Sequence, residues 1–158
     1  MVFNTILVPY DGSAMSDKAL DKAVELANII KESKIMIIHV VPEIPTSIFS
    51  RVIRSPKTGD VITFSEYIES LYQEMESKMR ERLEERKEKY NKYGFPIEIY
   101  LTTGIPTDKI IEYATDKKVD LIVIGSIGVT GISKFFKGLG SVSRNVSEEV
   151  SCPVLIIR

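Results

Sequence analysis

Residues 120–141 read DLIVIGSIGVTGISKFFKGLGS. Four apolar residues, Leu121 to Ile124, run directly into Gly125, and an ordinary helical sequence resumes after Ser141. A short apolar run closed by a glycine reads as a strand buried on both faces, the kind found in parallel sheets covered by helices. Glycines at 125, 128, 131, 138 and 140 punctuate its exit. That exit is either a main-chain cradle for an anion or only a flexible strand-to-helix connection. What else converges on the same place decides between the two.

Working outward, the same strand-like signal recurs. TILVPY (5–10) and KIMIIHVV (34–41) are apolar runs closed by prolines, and PVLIIR ends the chain. PIEIYLTTG (96–104) alternates apolar and polar residues, as an edge strand with one wet face does. Between the first two runs, Ala19, Leu20, Ala23, Val24, Leu26, Ala27 and Ile30 form a helical stripe that Ser13 or Ser16 can cap. A long helix is expected over 65–93, its core face made of Phe64, Ile68, Leu71, Met75, Met79 and Leu83. Its RERLEERKEK segment (80–89) mixes acids and bases, which predicts a solvated face laced with i,i+4 pairs rather than a nucleic-acid patch. PTDKIIEYATDKK, with Thr107 near its cap, and SVSRNVSEEVS give two further helices. Residues 42–63, with Pro42, Pro45, Pro56 and Gly59, read as one long variable loop. The pattern β-α-β-α-β-α-β-α-β implies a single α/β domain over 1–158. Its sheet is five-stranded and parallel, with right-handed crossovers and helices on both faces.

The whole-chain properties restrict the function classes. At 158 residues the chain is one domain, with a net charge of −1 that gives no reason to expect nucleic acid or an anionic membrane. No apolar run reaches membrane-spanning length, and Met1-Val2-Phe3-Asn4 leads straight into a strand, leaving no room for a signal peptide. The one cysteine, Cys152, excludes an internal disulfide, fits a reducing cytoplasm, and reads as a small buried apolar residue.

Open sheets of this kind receive ligands beyond the carboxyl ends of their strands, where the winding direction reverses. In the order 3-2-1-4-5 that place lies between strand 1, ending Pro9-Tyr10-Asp11-Gly12-Ser13, and strand 4, ending Gly125-Ser126-Ile127-Gly128. Bare glycine backbone and a following helix start suit a phosphate, with Ser141 adding a hydroxyl. Asp11 could accept from a ribose or hold a divalent ion. Val40 and Val41 could wall a base. The bland alternatives are a tight turn for Gly125 and Gly128, and helix capping for Asp11-Gly12. Lys134 and Lys137 read as surface residues, and His39 as a structural hydrogen-bonding group, since no serine or cysteine partner is evident. Neither a dinucleotide fingerprint nor a P-loop is present: the spacing is not G-x-G-x-x-G and there is no GK[ST]. Phe135 and Phe136 lie in an otherwise polar loop, over a ligand or a partner.

Four pieces in order (ILVPYDGS, IIHVV, DLIVIGSIGVTGISKFF with GSVS, and CPVLIIR) resemble the universal stress protein family over nearly the whole chain. The resemblance implies an adenine nucleotide alpha hydrolase-like fold and, in the nucleotide-binding branch, a G-x2-G-x9-G-[ST] motif holding ATP phosphates and ribose. By position, Gly125, Gly128, Gly140 and Ser141 match that motif, with Val142 beside them. Asp11 matches the family aspartate near the nucleotide, and Pro9 and Val40 match its adenine pocket. Two departures stand out. Eleven residues separate Gly128 from Gly140, and the common GSHGRTG is here GSIGVTG, with Ile127 and Val129 replacing a histidine and a basic residue. The resulting expectation is an adenine-nucleotide (ATP or AMP)-binding stress-response regulator read by an unknown protein partner, in which Asp11 could indirectly hold Mg²⁺. A nucleotide-independent universal stress protein is the alternative, and a slow ATPase the third reading. The uncharged VLIIR edge (154–158) invites pairing with a second copy, and the family too points to a homodimer.

Overall fold

The computed structural model describes residues 3–43, 51–128 and 139–158. Gly131, Lys134, Phe135, Phe136, Lys137 and Gly138 lie outside them, as does part of the expected long loop.

The elements follow in the order β1 (Thr5–Pro9), α1 (Ala14–Ile30), β2 (Lys34–Val41), β3 (Val52–Arg54), β4 (Val61–Thr63), α2 (Phe64–Tyr90), β5 (Ile97–Thr103), α3 (Pro106–Asp116), β6 (Leu121–Gly125), α4 (Ser141–Glu149) and β7 (Val154–Ile157). Five of the strands form one sheet in the order β5-β2-β1-β6-β7, every neighbouring pair parallel. This is the expected 3-2-1-4-5 arrangement. The numbering differs because β3 and β4 form a small antiparallel hairpin inside the stretch read as a loop. The sequence reading missed it because three-residue strands are too short to show a period of two.

Both faces of the sheet are covered, and successive strand residues alternate between them. Ile6, Val8 and Tyr10, with Ile35 and Ile37, pack against Ala19, Leu20, Ala23, Val24 and Ala27 of α1 and against Leu83 and Tyr90 of α2. Leu7, Met36, Ile38, Ile122 and Ile124 face the other way, toward Ile110 and Ala114 of α3 and Val146 of α4. Double burial is why these strands read as continuous apolar runs.

Three local expectations change. Of the stripe predicted as the core face of α2, only Leu83 is buried, and Met75 is 58% exposed. A helix of 27 residues is about 40 Å long, whereas the eight residues of β2 span about 26 Å, so the N-terminal half of α2 overhangs the sheet. At α3 the cap is Ile105 with Pro106 in the first turn, rather than Thr107. Cys152 is half-buried, packed on the α3–α4 side. Among the described residues no helix is long and apolar enough to cross a membrane.

Candidate functional site

β1 and β6 are neighbours, in register at Ile6 with Leu121 and at Leu7 with Ile122, so their exits adjoin. Past Pro9 the chain stays on β2 for one more residue, through Tyr10 N–H to the Ile38 carbonyl at 2.8 Å. It then turns sharply. Asp11 Oδ1 accepts from the Ser13 amide at 2.9 Å, Gly12 takes φ +82°, and Ser13 Oγ accepts from the Ser16 amide at 3.1 Å to cap α1. Asp11 is thus a turn-forming residue. That role uses Oδ1 and aims Oδ2 elsewhere.

Oδ2 faces Gly128. A Cβ placed on Gly128 would lie 2.6 Å from it, so close that the carboxylate would have to shift. Gly125 is bare for a different reason. A Cβ there would meet the carbonyl carbon and Cβ of Met15 at 2.8 Å, because the first turn of α1 lies directly on the exit of β6. The start of α4 is tied to the same exit. Ser126 donates its amide to the Ile157 carbonyl at 2.7 Å, and its own carbonyl accepts from Gly140 N–H at 2.7 Å and Ser143 Oγ at 3.0 Å. Gly140 is the N-cap residue of α4, with Ser141 exposed in its first turn. Val142 and Val40 are partly buried on the α3–α4 side of the sheet, the side opposite Tyr10 and α1.

The structure therefore brings Asp11, Gly128, Gly140, Ser141 and the ends of β1 and β6 to one place, with Pro9 and Val40 at the ends of adjoining strands. Among the described residues no group of three or more His, Cys, Asp or Glu side chains could hold a metal ion. A Mg²⁺ ion at Asp11 would need ligand phosphates for most of its coordination, as such ions commonly do. His39 makes the structural bond expected of it, Nδ1 donating to the Tyr10 carbonyl at 2.8 Å. A separate cleft of about 390 Å³ lies beneath the overhang of α2, lined by Val41, Thr103, Ile68 and Tyr72 among others. Val41 thus faces this cleft and not the predicted site, because neighbouring strand residues point to opposite faces.

The sequence reading missed one group beside the site. Asp17, in the first turn of α1, accepts from Tyr10 Oη at 2.5 Å, Arg82 Nη2 at 2.8 Å and Arg86 Nη2 at 2.8 Å. The two arginines belong to the stretch expected to be a solvated face; instead they reach across to α1. Burial, reinforced by the Asp17 hydrogen bond and charge, pushes the Tyr10 hydroxyl up to about 12. One signal was available: Arg82 and Arg86, four apart, flank Leu83, so one edge of the buried face of α2 is basic.

Comparisons with known proteins agree with this architecture. The sequence model described as the Universal stress protein family matches residues 3–158. Universal stress protein YxiE of Bacillus subtilis is 39% identical over 157 residues, which cover 99% of this chain and all of that one. The structure of universal stress protein UspA from Lactobacillus plantarum superposes with a TM-score of 0.82 at 22% identity, covering 100% of this chain and 99% of the other. A family member from Arabidopsis thaliana with AMP bound shares the fold at a TM-score of 0.63 and 21% identity, over 98% of this chain and 90% of that one. Other universal stress proteins of this fold are complexes with cAMP and dAMP. Both in sequence and in the arrangement of its strands, this chain belongs to the universal stress protein family.

Proposed function

We propose that the chain is an adenine-nucleotide-binding regulatory protein of the stress response, working as a two-fold dimer through its 154–158 edge. The observation that carries the nucleotide reading is the approach of Gly128 to Asp11, where a Cβ would lie 2.6 Å from the carboxylate. Uncovered main chain beside a carboxylate, at the carboxyl ends of adjoining parallel strands, is where open α/β sheets receive ligands. In this reading Asp11 accepts from the ribose hydroxyls. Pro9, Val40 and Val142 wall the adenine. The amides around Gly125, Gly128 and Gly140, with the Ser141 hydroxyl, take the phosphate. Relatives of the same fold with AMP, dAMP and cAMP bound support adenine as the base. Ile127 and Val129 bring no charge to the loop. Recognition therefore centres on the adenosine half, and AMP binds about as tightly as ATP.

The test is thermal. Nucleotide-stripped protein is melted with AMP, ATP or cAMP; at a hundred times its dissociation constant a ligand adds about 2.7 kcal/mol of stability. A rise with AMP at least equal to that with ATP supports the reading. No shift with any of the three removes it, leaving a protein that acts through its dimer and hairpin surfaces.

A further inference from the structure

Tyr10 immediately precedes Asp11, and all of its polar groups are engaged. Its amide donates to Ile38, its carbonyl accepts from His39 Nδ1, and its hydroxyl donates to Asp17. Its ring is 2% exposed, with the Arg82 guanidinium carbon 5.7 Å from the ring centre. Gly12, the residue after Asp11, is also hemmed in. A Cβ on Gly12 would meet Met79 Cε at 3.3 Å and Arg82 Nη1 at 3.5 Å, so α2 lies directly on the turn. Asp17 is only 22% exposed yet receives both Arg82 and Arg86.

Ordinary helix packing does not call for this arrangement. Partly burying charges costs desolvation that apolar side chains of similar size avoid, so an ion cluster is weak evidence for stability alone. What it supplies is direction: a planar guanidinium fixes both the carboxylate it pairs with and the ring it covers. The ring belongs to the first residue of the four-residue segment that presents Asp11, and Asp17 donates its amide to the carbonyl of the last, Ser13, at 3.0 Å.

We propose that Arg82, acting with Arg86 through Asp17 and Tyr10, is a positioning residue for Asp11. It locks the Tyr10–Ser13 turn so that Oδ2 stays against Gly128. This places α2, which begins at the β3–β4 hairpin, in mechanical contact with the ligand site. The proposal rests on the nucleotide reading above.

The experiment has two readouts on the full chain, using Arg82→Met, which keeps an aliphatic stem on α2 and leaves Arg86 on Asp17. The first needs no ligand: hydrogen exchange of the Ser13 amide, which donates to Asp11 Oδ1, speeds up by about tenfold, while Val119, on the far side of the sheet, is unchanged. The second is AMP affinity in a double-mutant cycle with Asp11→Ala, the clean way to apportion a network. Arg82→Met weakens AMP about tenfold in the unmodified background and has no further effect once Asp11 is alanine. Arg82→Lys, which keeps the charge without the planar fork, lies between. Unchanged exchange at Ser13 overturns the proposal whatever AMP does. An affinity loss that persists in Asp11→Ala overturns it as well, since Arg82 then acts by another route. If the unmodified protein binds no adenine nucleotide, the ligand half falls with the reading of the site. Faster exchange at Ser13 would still establish the clamp on the turn, so the two failures are told apart.

Discussion

Two of the motif glycines are bare for different reasons, and single substitutions separate them. At Gly125 the neighbour is main chain: a Cβ would sit 2.8 Å from the Met15 carbonyl carbon, and neither backbone can yield without moving α1 from β6. Gly125→Ala is expected to cost about 1–3 kcal/mol, as overpacking of a tight core does, read as a lower melting temperature. At Gly128 the neighbour is the end of a carboxylate, which can rotate away. Gly128→Ala is expected to leave the melting temperature of the ligand-free protein nearly unchanged. It should weaken AMP about tenfold or more, the value of a hydrogen bond to a charged group. Calorimetric titration beside thermal melts checks both, and equal destabilisation by the two variants would contradict the distinction.

Among the elements, the β3–β4 hairpin is tied to α2 by an ion pair that titrates. Glu74 of α2 pairs with Lys57 of the hairpin turn and with Lys78 of its own helix. The Lys57 hydrogen bond, then that of Lys78, holds its carboxyl down at about 2 against an ordinary 4.5. A carboxyl lowered in the folded state stabilises fully above its unfolded value and stops doing so as pH falls through its folded one. The tether is therefore complete above pH 4.5 and loosens between there and pH 2. Because Glu74 is solvent-exposed, salt screens the pair and the effect stays local. Amide exchange in 52–63 should rise relative to the five-stranded sheet as pH is lowered through that window, and the pH-dependent rise should be smaller in high salt, where the pair is already screened. Uniform exchange across the molecule would contradict it.

At the scale of the whole molecule, β7 is an edge strand with Leu155 37% exposed and, among its four residues, no charge to discourage pairing. Two copies joined antiparallel there would cover both edges and extend the sheet across a two-fold axis. Leu155→Lys is expected to convert a dimer to a monomer in light scattering while leaving the fold, by circular dichroism, intact. Dimers that persist would locate the contact elsewhere, the exposed Val52 and Val61 of the hairpin being the next apolar surface.

Much of this fold was legible in the sequence because burial on both sides leaves a local trace. The centres of β1, β2 and β6, Ile6–Val8, Ile35–Ile38 and Leu121–Ile124, are apolar throughout, and a proline or glycine at or just after the end of each marks where the backbone leaves the sheet. The edge character of 97–103 was visible in its alternation of apolar and polar residues, whereas that of the wholly apolar 154–157 followed only from the expected strand order. The exits of β1 and β6 could be paired from topology alone, which brought Asp11 and Gly128 into one hypothesis. What the tertiary structure decided is where side chains without periodic meaning go. Asp17 and Arg82 are 65 residues apart; the place of Arg82 beside the buried Leu83 marks it as bordering the core face, but nothing local names its partner. Its partner follows from how α2 is rotated and how far it overhangs the sheet. That same overhang exposes Met75 and leaves Leu83 and Tyr90 as the buried contacts of the helix. Periodicity encodes which face is apolar; the pairing of charges across the chain exists only once the apolar faces have met.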